Sequence, residues 1–182
     1  RQARYAKMPG SPNAEPGLIE AARACEAAGA HSITVHLRAD RRHIQDSDLE
    51  RLRAAVRGKL NLEMAASDEM IAIACRARPH QVTLVPERPE ELTTEGFCCD
   101  LAQLPRLLAG AERLRTAGIE VSLFVGPREG WGVGAHPRSA DGAAHFSQLR
   151  GMRQLTYAIE DIARAVEAGI RSFLIADHGL LT

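Results

Sequence analysis

One pattern recurs along this chain and limits what it can fold into. The stretches "EAARACEAAGAHSITVHL", "RLRTAGIEVSLFV" and "IARAVEAGIRSFLIADH" each run from an alanine-rich helical period, through a glycine, into a short β-rich run. A looser copy, "MIAIACRARPHQVTLVPE", places Pro79 where the others place Gly29, Gly118 and Gly169. Glycine ends helices because it adopts the left-handed conformation at little cost, and a β-branched run directly after it reads as a strand. The unit is helix, turn, strand. Parallel neighbours need a crossover connection, normally right-handed, so repeated units of this kind predict a parallel sheet with helices outside it. The periodicity predicts strands near 33–37, 60–65, 81–86, 120–125 and 172–177, and helices near 16–28, 47–57, 67–77, 101–117 and 156–168. Glu15 and Asp68 suit helix starts, and Asp46 or Ser47 suits an N-cap.

Between Val125 and Gln154 the pattern fails. "GPREGWGVGAHPRSADGAAHFSQLRG" holds six glycines, two prolines and the only tryptophan, with no sustained period of either kind. Residues 126–151 therefore read as a long irregular segment. Its "GWGVGA" follows a strand, but the spacing is not GxGxxG and Pro137 stands where a helix should open, which argues against a dinucleotide loop. His136 and His145 lie in this segment without a metal-ligand spacing.

The 182 residues, 45% hydrophobic and 25% charged, suit one soluble globular domain with a real core. The 23 basic and 23 acidic residues cancel, so no net field recruits nucleic acid or an anionic membrane, and the expected partner is small. No apolar run reaches the roughly 20 residues that span a bilayer, and "RQARYAKMPG" lacks the apolar centre of a signal peptide. The expected location is the cytoplasm. Cys25, Cys75, Cys98 and Cys99 show no CxxC spacing and read as reduced thiols.

Candidate site residues emerge from side-chain direction. Alternate strand residues face opposite ways, so Thr34, His36 and Arg38 share one face of "ITVHLR" while Ile33, Val35 and Leu37 take the other. The same parity joins Asn61 to Glu63 in "LNLEMA". Buried parallel strands usually read as continuous apolar runs, so ionisable residues within two successive strands point to a site. Sheets of this class bind ligands at the carboxyl ends of their strands, where His36, Arg38, Glu63, Glu87 and His178 fall. Each also has a plainer reading. A strand histidine can be structural, and Arg38, Asp40, Arg41 and Arg42 can form a solvated turn. Glu63 is harder to read that way, because carboxylates are rarely buried unless paired. His80, just before a strand, reads as structural.

"ITVHLRADRRHIQDSDLERLR", "LNLEMAASDEMIAIACRARPHQVTLVPERPEELTTEG" and the opening "RQAR" resemble the pyridoxine 5'-phosphate synthase family, which closes the pyridine ring in one route to vitamin B6. The similarity runs from about Arg1 to Val125. It implies a TIM barrel and a condensation of 1-deoxy-D-xylulose 5-phosphate with 3-amino-2-oxopropyl phosphate, releasing inorganic phosphate and water. It implies no metal and no organic cofactor, and it implies a homo-oligomer. A full barrel typically takes about 250 residues, and five of its eight strands are recognisable over residues 1–182, read as one partial barrel domain. The chain starts inside the family's arginine motif and stops before its final strand, so a fragment or a rearranged relative is expected.

By the same resemblance, His36 of "TVHLR" matches the first proton acceptor and Glu63 of "NLEM" the second. Arg38, His43 and Thr93 match residues that hold deoxyxylulose phosphate, and Arg4 matches one that binds the amino-ketone phosphate. "ADHGL" is similar to a glycine-histidine-glycine motif, with Asp177 in place of the first glycine. His178 would be the proton donor and Gly179 a phosphate-side contact. Two other readings stay open: a non-catalytic remnant that binds a phosphorylated ligand or pairs with another chain, and an enzyme of the same scaffold with another phosphorylated substrate.

Overall fold

The computed structural model describes residues 17–41, 44–85, 104–125, 151–167 and 169–175. Helix and strand alternate through them: α1 (Leu18–Ala27), β1 (Ser32–His36), α2 (Asp46–Ala55), β2 (Lys59–Met64), α3 (Asp68–Ala77), β3 (Gln81–Leu84), α4 (Leu104–Thr116), β4 (Glu120–Val125), α5 (Gly151–Glu167) and β5 (Ser172–Ile175). All five strands pair in parallel, in the order β1-β2-β3-β4-β5. Each new strand is added on the same side of the last, without the reversal of a doubly wound sheet. Winding of this kind belongs to a (βα) barrel, and the sheet is an α/β arc consistent with a partial TIM barrel.

The register carries the stagger that barrel closure demands. Ser32 pairs with Lys59, but β3 begins at Gln81 opposite Asn61, two residues further along β2. Gln81 pairs with Glu120, and β5 again begins two residues further along, with Ser172 opposite Ser122. Strands tilted about a common axis must climb in this way.

The helix ends show why the repeat folds as it does. Gly29, Gly118 and Gly169 have φ of 97°, 77° and 84°, in the left-handed region. The amide one residue later reaches back five residues: Ala30 N–H to Cys25 O at 3.0 Å, Ile119 to Leu114 at 3.0 Å and Ile170 to Ala165 at 2.9 Å. These 6→1 bonds satisfy carbonyls that a helix end leaves open. In the glycine-free copy Arg78 takes the left-handed position instead, with φ 50°. At the other end of α3, Ser67 Oγ accepts from Met70 N–H at 3.2 Å, and Asp68 is the first helical residue.

Two boundaries differ from the sequence reading. The N-cap of α2 is Gln45 rather than Asp46 or Ser47, because buried Asp48 accepts the Gln45 N–H at 3.0 Å and so draws the helix start one residue back. Helix α5 opens at Gly151, five residues before the expected 156, since Met152, Arg153, Gln154 and Leu155 are capable helix formers that extend it back to the glycine. The expected irregular segment thus loses Gly151 to a helix, and its residues 126–150 lie outside the described residues.

One sheet face is wholly apolar. Leu60, Leu62, Met64, Val82, Leu84, Val121, Leu123 and Val125 are each at most 4% exposed and form one core with Leu49, Leu52, Met70, Ile71 and Leu114 of the helices. Burying such a side chain contributes about 1.5–3 kcal/mol, which makes this face the source of the fold's stability. Helices α3 and α4 approach closely at Gly110, where a Cβ would stand 3.0 Å from Ile71 Cδ1. Cys25 and Cys75 are free thiols; Cys98 and Cys99 lie outside the described residues. Among the described residues no helix is long and apolar enough to cross a membrane.

Candidate functional site

The opposite sheet face has another character. Paired residues of parallel strands project to the same side, so the register collects Thr34, Asn61, Gln81 and Glu120 in one row and His36, Glu63, Thr83, Ser122 and Ser172 in the next. Barrel interiors are normally filled by bulky branched residues. Polar side chains here must answer to each other. Thr83 Oγ1 donates to Asn61 Oδ1 at 3.0 Å, and Asn61 Nδ2 donates to Thr34 Oγ1 at 3.4 Å, tying three strands by side chains alone. At the amino end, Lys59 Nζ reaches across β3 to Glu120 Oε2 at 3.3 Å.

At the carboxyl end of this face stand ionisable groups. His36, the last residue of β1, pairs in register with Glu63 of β2, and both are half-buried. Burial raises the Glu63 carboxyl above the ordinary range, while the charge of His36 pulls it down and does not cancel the effect. A carboxylate beside a histidine at the carboxyl ends of neighbouring strands is an arrangement that can take and return protons. Two residues beyond His36, Arg38 is 2% exposed, and Asp40 Oδ1 stands 3.8 Å from its Nε. The plainer reading of a solvated turn therefore fails at Arg38, whose side chain is buried, and holds for exposed Asp40.

Arg41 shapes the turn after β1. Its φ is 56°, its Nε donates to Asp46 Oδ1 at 2.7 Å and its Nη2 to Glu69 Oε1 at 2.5 Å. His80 sits at the other end of the sheet, where its Nδ1 accepts the Leu60 N–H at 3.0 Å. Burial first, and then the charges of Arg53 and Lys59, lower its pKa, so it stays a neutral acceptor in a structural role.

Of the residues singled out in the sequence, His36, Arg38 and Glu63 come to the carboxyl ends of adjacent strands β1 and β2. Arg4, His43, Thr93, His178 and Gly179, like Glu87, His136 and His145, lie outside the described residues. Thr83, Ser122 and Ser172 were missed. The signal was present, since each sits in a run whose neighbours on both sides are apolar or at a strand edge, and period two would have placed them with His36 and Glu63. Among the described residues no group of three or more His, Cys, Asp or Glu is gathered as a metal ion would require.

Comparison with known proteins agrees with this geometry. The family model described as "Pyridoxal phosphate biosynthesis protein PdxJ" matches residues 1–142. A pyridoxine 5'-phosphate synthase of Trichlorobacter lovleyi is 46% identical over 172 residues, covering 91% of this chain and 72% of that protein. The synthase of Pelobacter propionicus is 54% identical over 127 residues, 70% of this chain and 53% of the relative. That of a Synechococcus species is 57% identical over 113 residues, 62% and 45% respectively. The matched stretch thus spans about half the length of the latter two relatives. With a family model matched over most of its length and relatives this similar, the chain belongs to the PdxJ family of pyridoxal phosphate biosynthesis proteins.

Proposed function

We propose that this chain carries the active-site strands of a pyridoxine 5'-phosphate synthase, joining 1-deoxy-D-xylulose 5-phosphate to 3-amino-2-oxopropyl phosphate. The observation that carries the reading is the register pair of His36 and Glu63, a half-buried histidine against a carboxylate of raised pKa. Condensation through an imine, successive dehydrations and ring closure each move protons, and two bases of different type suit that sequence. His36 acts as the first proton acceptor and Glu63 as the second, with His178 as donor. Arg38, His43 and Thr93 hold the sugar phosphate, Arg4 binds the amino-ketone phosphate, and Gly179 is a phosphate-side contact. A guanidinium such as that of Arg38, poor in bound water and planar, suits a phosphate dianion. The same reading makes the protein a cytoplasmic homo-oligomer, which sedimentation would register.

The test is to supply the protein with both substrates and follow the pyridinol product and inorganic phosphate together. Equal rates of appearance are expected. Binding of deoxyxylulose phosphate without product would replace the proposal with a non-catalytic phosphate-binding protein. Failure to bind either substrate would point to another phosphorylated substrate on the same scaffold.

A further inference from the structure

Three arginines follow β1 within six residues, Arg38, Arg41 and Arg42, and the geometry gives the first two different work. Arg38 is buried, at 2% exposure. Arg41 turns outward, and each side of its guanidinium is engaged: Nε on Asp46 Oδ1 at 2.7 Å, Nη2 on Glu69 Oε1 at 2.5 Å and Nη1 on the Ala39 carbonyl at 2.7 Å. Its backbone is engaged as well. The Arg41 N–H donates to Arg38 O at 2.9 Å, and Arg41 O accepts from Gln45 Nε2 at 2.8 Å. Asp46 is the first residue of α2 and Glu69 the second of α3, so one side chain links the turn to the starts of two helices. Two carboxylates already take the Arg41 charge, which disqualifies it as a phosphate ligand. A φ of 56° is uncommon outside glycine and asparagine, and a residue stays there only where its surroundings hold it.

We propose that Arg41 is a positioning residue, a clamp that locks the β1–α2 turn onto the first turn of α3 and thereby fixes Arg38 for the sugar phosphate. The role rests on the sugar-phosphate site proposed above. A planar fork is needed, because two carboxylates approach along different edges of one guanidinium; a lysine ammonium reaches one of them and leaves the other.

The experiment pairs calorimetric binding of deoxyxylulose phosphate with amide exchange across residues 38–46, on wild type, Arg41→Ala, Arg41→Lys and Glu69→Gln. Arg41→Ala is expected to weaken sugar-phosphate binding on the order of tenfold, as for a residue that acts through another. Binding of 3-amino-2-oxopropyl phosphate should stay unchanged, and protection of the turn should fall. Arg41→Lys should not restore either reading, and Glu69→Gln should shift both in the same direction by less. If Arg41→Ala does not fold, Glu69→Gln and Arg41→Lys carry the same readings. Wild-type binding matched by every variant overturns the role of Arg41 and leaves the proposed function standing. Absence of binding by the wild type overturns the proposed function, and exchange then decides the clamp: lost protection upholds it and unchanged protection overturns it.

Discussion

Glu63 is costly to the fold, and the proposed function gives that cost a chemical use. Burial raises its pKa, so the native state holds the proton more tightly than the unfolded chain does. The sign follows from linkage: where the native state binds more protons, stability falls as pH rises, here from near 4.3 up through the raised native value. Glu63→Gln removes that cost. Its urea midpoint at pH 7 should exceed the wild-type midpoint, and the difference should close as the pH falls to about 4. A variant less stable than wild type at pH 7 would mean that the Glu63 anion has a stabilising partner. His36, Arg38 and Glu63 were legible in the sequence because period-two alternation makes an ionisable residue in a buried strand stand out. The partnership of Arg41 with Glu69 was not, since it joins residues 28 positions apart and depends on where two helices begin.

At the scale of elements, the helix stops offer a matched pair. Gly118 sits at φ 77° with nothing within 4 Å of the place a Cβ would occupy, so Gly118→Ala meets only the left-handed backbone penalty. Arg78 takes the left-handed conformation directly after the last residue of α3, at φ 50° with an exposed side chain. Gly118→Ala should lower stability by about 1–2 kcal/mol and Arg78→Gly should raise it by up to about 1 kcal/mol, read from denaturant midpoints at constant m. Equal effects of one sign would show that the caps do not set these helix ends. The strands and most helix spans were readable to within a few residues because glycine stops and β-branched runs are local signals. The start of α5 was not, because Gly151 broke the pattern by composition while the residues after it were free to form a helix.

For the whole molecule, the repeat announces parallel strands with helices outside, and the chain-order sheet follows from adding each unit beside the last. The two-residue climbs at β3 and β5 were not readable, because strand tilt is a property of the assembled arc and leaves no trace in any single strand. The parity of the strands gives that arc two unlike faces: one is an apolar core layer, and the other carries the polar rows that include His36 and Glu63, with Phe124 and Leu174 beyond them on β4 and β5. In the proposed function, this pair moves the protons of ring closure. Steady-state turnover of Glu63→Gln and His36→Asn, measured as pyridinol product from both phosphorylated substrates, tests it most directly, since each change keeps the shape and removes the base. The expected result is a fall in kcat of roughly 10²–10⁴ for each, with substrate binding retained. A Glu63→Gln protein that turns over as fast as wild type would remove Glu63 from that role.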